Sequence, residues 1–357
     1  MKEKYFEFCA GTFYNGGFYF SNMDYNALYF WGDDTKKPMY LGSFPDEPAP
    51  IFFLHKACLR KGDRLIFIPE AGSHFHIYDV KTQEFISLKF ERRNYDFSPV
   101  AESVWVEDKL YVFPSAFDSP VYVIDPEKGM FEEDWTVSEW CKKHIVSEGT
   151  LKLARIAENN GKIYAAIYNS DTLLVIDTKD FGCSTQKING TKLFAAFDGG
   201  DRILIATNNS DEIYELKSDG SIDRLKESSG ESDRRAYNHI IPVDDDHYIF
   251  VFAYKADLVV WNRKNRTEKL LCNDAEIIDE IRPCYFGYSK VDKGIILHPF
   301  NTTGLLKVDM KSMTTEQLAM DKDIYDYSIA PYNHLVGRNE IHNESDWFGL
   351  EDFIQYI

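Results

Sequence analysis

The chain has 357 residues, with 40 Lys plus Arg against 58 Asp plus Glu, a formal net charge of -18, and 44% apolar residues. That balance lacks the basic footprint of a nucleic-acid binder and disfavours anionic membrane surfaces, while the apolar share suffices for a packed core. There is no run of about 18 apolar residues, so no membrane-spanning helix is expected, and the charged start MKEKYFEFCAGTFYNGG does not read as a secretory signal.

In chain order, the first predicted element is a strand over Tyr5–Thr12. A hairpin follows, Phe18–Phe20 and Leu28–Trp31, with its turn at Asn22–Asn26. The next unit sets a template. Leu65–Asp79, LIFIPEAGSHFHIYD, is an apolar run, a short polar turn, and a second apolar run closed by Asp. An apolar stretch precedes it (Phe52–Leu59) and a weaker one follows (Phe85–Phe90), so the unit reads as four strands, A to D.

The template recurs at Phe18, Leu65, Leu110, Ile163, Ile203, Tyr248 and Ile295, at intervals of 47, 45, 53, 40, 45 and 47 residues. Such a period marks propeller blades or solenoid arrays. The closing slot holds Asp33, Asp79, Asp125, Asp177, Lys217, Asn262 and Asp309. Asp and Asn side chains accept from backbone N–H groups two residues on, so this slot is a turn starter and not a ring of catalytic acids. Pro69, Pro114 and Pro299 sit four residues after their anchors, where proline marks a strand end.

The longest interval contains Thr136-Val-Ser-Glu139, which fits a capping box with Trp135 and Trp140 as its staple and predicts a helix over Val137–Ile145. The fourth unit runs from Leu151 to Ile188 and the fifth from Lys192 to Leu225. After the polar linker Lys226–Arg235, the sixth spans Tyr237–Leu271 and the seventh Arg282–Met320. In the tail, Leu350, Phe353, Ile354 and Ile357 follow a helical period, and Tyr327–Val336 suits a strand. The expected fold is all-β: a β-propeller of seven four-stranded blades over residues 1–320. Residues 321–357 carry a short helix and either close the ring or form a degenerate blade.

The phrases VYVID (121–125), LLVID (173–177) and LLKVD (305–309), each followed by a polar turn, resemble the blades of kelch-like and YVTN-type β-propellers. The resemblance spans roughly Tyr5–Met320 and implies a fold, without a reaction or a ligand.

Aligned slots weigh the candidate residues. His74 and His76 have the i, i+2 spacing of a shared sheet face, but His76 aligns with apolar residues in the other units, so both are read as structural. His298 is read the same way. Six scattered cysteines form no CxxC pattern, which points to reduced thiols in a cytoplasm. No metal centre and no cofactor are expected.

A propeller's A strands line its channel. One slot there holds Ala10, Ala57, Glu102, Arg155, Ala195, Ile240 and Gly287, so Glu102 and Arg155 are expected to pair, or Arg155 to face a ligand carboxylate. His55, Lys56, His239 and Arg282 fall near the same mouth. The B–C turns add Tyr25, Tyr168 and Tyr254, aromatic anchors for a sugar or peptide. The leading functional expectation is a non-catalytic scaffold that binds a polar partner (peptide, protein or glycan, possibly anionic) on the B–C face. A glycan-active lyase or hydrolase at the channel mouth is the alternative, and a structural subunit of a larger assembly is a third.

Overall fold

The computed structural model describes residues 8–319 apart from 24, 33–36, 49–50, 92–98, 146–151, 189, 209, 229, 231–236, 272–282, 301 and 303. Arg282, Asp33 and the tail elements expected over Tyr327–Val336 and Leu350–Ile357 therefore lie outside the described residues. The described chain is almost entirely strand, with one helix. It divides into two compact units, one formed by residues 1–91 with 274–357 and the other by 92–273.

In the first unit, β1 (Phe8–Tyr14), β2 (Gly17–Asn22), β3 (Leu28–Gly32) and β4 (Met39–Gly42) form one four-stranded sheet. A second contains β5 (His55–Lys61), β6 (Arg64–Pro69), β7 (His74–Asp79) and β8 (Glu84–Lys89).

The other unit begins with a sheet of β9 (Val100–Val106), β10 (Lys109–Pro114), β11 (Val121–Asp125) and β12 (Met130–Asp134). An eight-stranded sheet follows. Its first half is β13 (Leu153–Asn159), β14 (Lys162–Ile167), β15 (Thr172–Asp177) and β16 (Cys183–Lys187). Its second half is β17 (Leu193–Asp198), β18 (Ile203–Thr207), β19 (Ile213–Leu216) and β20 (Ile222–Lys226). The halves meet at one parallel bridge, Arg155 with Ala195. β21 (Tyr237–Pro242), β22 (His247–Phe252), β23 (Leu258–Asn262) and β24 (Thr267–Leu271) complete the unit. The first unit is completed by β25 (Tyr285–Val291), β26 (Gly294–Pro299), β27 (Gly304–Asp309) and β28 (Thr314–Ala319).

Each set is an antiparallel meander in which the expected apolar runs are the second and third strands. All seven repeat anchors fall at the first or second residue of a second strand. These strands are buried because they are sandwiched, as the near-continuous burial of β2, β6 and β26 shows. Fourth strands are half exposed, as in β8 and β24. Leading strands contact leading strands: β1 touches β5 and β25 in the first unit, and β13 touches β9 and β17 in the other. The cores lie between sheets. One joins Phe8, Phe18, Phe20, Tyr25 and Tyr29 to Ile296 and Leu305; another joins Phe194, Phe197 and Ala206 to Tyr237, Phe250 and Trp261.

The closing slot starts turns, as its chemistry requires. Asp79 Oδ1 accepts from the backbone N–H groups of Lys81 (2.9 Å) and Thr82 (3.0 Å), and Asp309 Oδ1 does the same for Lys311 and Ser312. Asp125, Asp177 and Asn262 repeat the motif. In the fifth set, where Lys217 fills the slot, Asp219 supplies the acceptor instead, two residues later, for the Ser221 N–H.

The one described helix, α1 (Thr136–His144), forms where expected, but the capping box does not. Trp135 is the N-cap residue and makes no side-chain capping bond; Asp134 Oδ1 takes the Thr136 N–H at 2.8 Å. The local reason is that Thr136 is already inside the first helical turn. Trp140 stacks on His144, one turn along the same helix. Val137 and Cys141 pack into the core of the adjoining sheets, so the helix covers apolar surface and does not expose it.

Candidate functional site

A β-bulge recurs near the start of every leading strand. It falls between Phe8 and Ala10, His55 and Ala57, Val100 and Glu102, Leu153 and Ile156, Leu193 and Ala195, Tyr237 and His239, and Tyr285 and Gly287. A bulge bends the strand and re-aims the side chains beside it. The residue just after it fills the inward slot: Ala10, Ala57, Glu102, Ala195, His239 and Gly287, each paired with the same second-strand position.

The sixth member is His239, where counting back from the anchor gives Ile240. Elsewhere the anchor pairs with the residue five before it, as Arg60 does with Leu65 and Asp198 with Ile203. In the sixth hairpin Pro242 pairs with Tyr248, six before. The Asp244–Asp246 turn carries the extra residue, and a one-residue slip exchanges the two faces of a strand. This substitution puts an imidazole into the slot and buries Ile240.

Arg155 occupies the centre of the resulting cluster. Its Nη1 lies 3.5 Å from Glu102 Oε2 on β9 and 3.4 Å from His239 Nδ1 on β21, while its Nη2 donates to Asn238 Oδ1 at 3.1 Å. A guanidinium only donates, so His239 Nδ1 accepts and the ring proton sits on Nε2. The short side chain of Ala195, on the strand between, leaves the space through which Arg155 reaches β21. The Arg155–Glu102 contact is long, at 3.5 Å, and both side chains keep about a quarter of their surface, 23% for Arg155 and 25% for Glu102. A partly exposed pair of this length contributes about 0–1 kcal/mol to stability.

In the same unit the turns between second and third strands, β14 to β15 and β18 to β19, bring Tyr168 and Asn208 together. Asn208 Nδ2 lies 3.5 Å from Tyr168 Oη and 3.5 Å from Asn169 Oδ1. Tyr168 is 43% exposed and stands edge-on to Phe194, with ring centroids 6.4 Å apart. Tyr254 is half buried. Tyr25 is different: at 3% exposure it belongs to the core, with its Oη 3.0 Å from Tyr29 Oη, so it presents no ring at a rim.

His55 and Lys56 belong to the first unit. Lys56 is the half-buried extra residue of its bulge. His55 is fully buried, and its Nε2 lies 3.1 Å from His76 Nδ1. His76 Nε2 faces the Pro45 carbonyl oxygen at 3.0 Å. A carbonyl only accepts, so His76 carries its proton on Nε2 and His55 donates from Nε2 to His76 Nδ1. His55 Nδ1 then meets no hydrogen-bond partner among the described residues. Burial, reinforced by the neighbouring His76, holds His55 well below the ordinary histidine range; burial brings His76 down to about 4. Both rings are neutral at physiological pH. Next to them, the Glu47 carboxylate meets His74 Nδ1 at 3.0 Å. Sequence reading missed Glu47 and the slot of His239, because each is placed by a loop or a bulge that has no hydrophobic period.

Two serine–imidazole contacts occur among the described residues of the first unit: Ser73 Oγ to His74 Nδ1 at 2.9 Å, beside Glu47, and Ser289 Oγ to His298 Nε2 at 2.8 Å. Ser289 Oγ also accepts the Phe13 N–H at 2.9 Å and faces Thr12 Oγ1 at 3.3 Å. His298 stands between the rings of Phe18 and Phe286, and burial pushes it down to about 3. A base this weak, on a hydroxyl tied to a neighbouring strand, fastens β1 to β25 and β26 and does not activate the serine.

No protein-family model matches the chain, and no curated protein matches it in sequence. Solved structures match in fold. A streptogramin B lyase is similar at TM-score 0.61 and 10% identity, over 85% of this chain and 93% of that one. A catalytically inactive virginiamycin B lyase from Staphylococcus aureus with quinupristin is similar at TM-score 0.59 and 11% identity, over 84% and 94%. A chain of the mitotic checkpoint complex is similar at TM-score 0.53 and 10% identity, over 85% and 84%. The chain has the β-propeller fold, a scaffold shared here by lyases and by an assembly component, and no described helix is long and apolar enough to cross a membrane.

Proposed function

We propose that this protein is a non-catalytic recognition propeller that binds a polar, anionic partner on the face where the leading strands start. In this reading the sheets count as seven blades, with the eight-stranded sheet taken as two blades bridged at Arg155 and Ala195. Kinship with kelch-like and YVTN-type propellers is read at the level of fold alone. The observation that carries the functional reading is Arg155: a partly exposed guanidinium on which Asn238, His239 and Glu102 converge from neighbouring leading strands. Such a group accepts a carboxylate or phosphate in a fixed orientation. Tyr168 and the amides of Asn169 and Asn208 supply a flat ring and hydrogen-bonding groups for a peptide or sugar.

A second reading, a glycan-active lyase or hydrolase at the same mouth, is favoured by one observation: the Arg155 guanidinium lies against the His239 imidazole. If Arg155 turns to a substrate carboxylate, the His239 Nδ1 lone pair that it now occupies is released to take a proton beside that carboxylate.

An array of acidic peptides and anionic glycans, followed by titration with Arg155→Gln, tests both. Retained binding without product, lost in R155Q, supports recognition. Product formation that His239→Gln abolishes while binding persists moves the assignment to the enzyme. Binding unchanged in R155Q overturns the site.

A further inference from the structure

Glu47, His74 and His76 stand apart from that site, in the first unit. One donor atom of each lies within 4.8 Å of the other two. His74 and His76 share one face of β7 by their i, i+2 spacing. The loop after β4 delivers Glu47 and is built to do so. Asn26, 1% exposed, donates to the carbonyl oxygens of Phe44 (2.9 Å) and Glu47 (3.0 Å) and accepts the Phe44 N–H (2.7 Å). Gly72 makes room, since a Cβ there would meet Glu47 Oε1 at 3.1 Å and Leu54 Cδ1 at 2.8 Å.

We propose that Glu47, His74 and His76 bind a divalent transition-metal ion of the zinc class. Two imidazoles and a carboxylate are a donor set such ions take, with three protein ligands leaving a fourth position for water or substrate. The geometry suits it. Ligands on a tetrahedral zinc sit about 3.4 Å from one another. His74 Nδ1 and Glu47 Oε1 are 3.0 Å apart, close to that separation. No pair of these atoms has to close by more than about 1.4 Å to reach that ideal.

The carboxylate has capacity to spare. Oε1 takes the N–H groups of Ser73 (2.6 Å) and His74 (2.9 Å), the Ser73 hydroxyl (3.2 Å) and His74 Nδ1. Among the described residues, Oε2 accepts nothing. The Glu47 side chain is only 2% exposed and that of His74 9%, so the site is nearly dry and opens at His74. His55 completes it. A ligating histidine is held by a partner on its other ring nitrogen, and His55 Nε2 occupies that place on His76. Metal on Nε2 takes the place of the proton that His76 now shares with the Pro45 carbonyl and reverses the bond to His55, with His76 Nδ1 donating.

The test uses the full chain, stripped of metal by chelator dialysis and titrated with zinc chloride by calorimetry. One equivalent is expected, with affinity lowered at least a hundredfold in Glu47→Gln and His74→Asn and retained in His144→Gln. X-ray absorption on the zinc-loaded wild type needs no variant and is expected to show two imidazoles in the first shell. No stoichiometric binding, binding unchanged in both variants, or a sulfur ligand overturns the proposal.

Discussion

Arg155 and His239 lie two leading strands apart and still meet, at 3.4 Å, because a bulge on β21 turns His239 into the slot that Ala195 leaves open on β17. Glu102 approaches the same guanidinium from β9. The three side chains come from three sheets, and the Glu102 carboxylate competes with an anionic ligand for the Arg155 guanidinium.

Glu102→Gln is therefore expected to strengthen binding of an anionic ligand, by roughly threefold to tenfold, since removing a competing charge at a partly exposed site is worth about 1 kcal/mol. Thermal stability is expected to change little. Titration of wild type and variant at low and moderate salt measures this, and the gain is expected to shrink as salt screens the site. Equal or weaker binding by the variant would show that Arg155 is not the anion contact.

The repeat was legible because burial on both faces forces the second and third strands of each set to be apolar, and because one acid in each closing turn has a backbone job. Pairing of Leu65 with Tyr78 and of Ile163 with Ile176 follows from those runs. The site was only partly legible. Glu102 and Arg155 could be placed by counting from their anchors. His239 could not, because the run of three aspartates before His247 lengthens its turn by one residue, and that run was the available signal. Tyr25 was misplaced at a rim because turn position alone does not reveal that its ring folds back onto Tyr29.

That last difference gives a contrast between two tyrosines. Tyr25→Ala is expected to cost about 3–5 kcal/mol by opening a cavity in an aromatic core, and Tyr25→Phe about 1 kcal/mol through the lost hydroxyl contact. Tyr168→Ala, at a ring 43% exposed, is expected to leave unfolding unchanged and to weaken partner binding. Urea unfolding and array binding on the three variants separate the roles. A Tyr168→Ala protein that binds normally would remove that ring from the recognition face.

The closing-turn acid makes a prediction with no functional component. Asp79→Ala deletes an acceptor for two backbone N–H groups and is expected to destabilise by about 1–2 kcal/mol. Asp79→Asn keeps the acceptor and is expected to recover most of that loss. Partner binding is expected to be the same in both. An alanine variant as stable as wild type would mean that the recurring acid is not needed for the turn.

His298 sets a pH dependence whose sign is fixed. Burial between Phe18 and Phe286 lowers it to about 3, whereas the unfolded chain protonates its histidines near the ordinary 6.5. Between those values the unfolded state binds a proton that the folded state refuses, so stability falls as pH falls. The contribution is complete above about 6.5 and is gone below about 3. Inside that window it amounts to at most about 1.4 kcal/mol per pH unit. Unfolding free energies measured from pH 7 to pH 4 should therefore decline less steeply in His298→Phe than in wild type. In wild type the ring resonance of His298 should stay in its neutral position to below pH 4. A ring that titrates near 6.5 would place His298 in contact with water, and the cross-strand role of the Ser289–His298 contact would have to be abandoned.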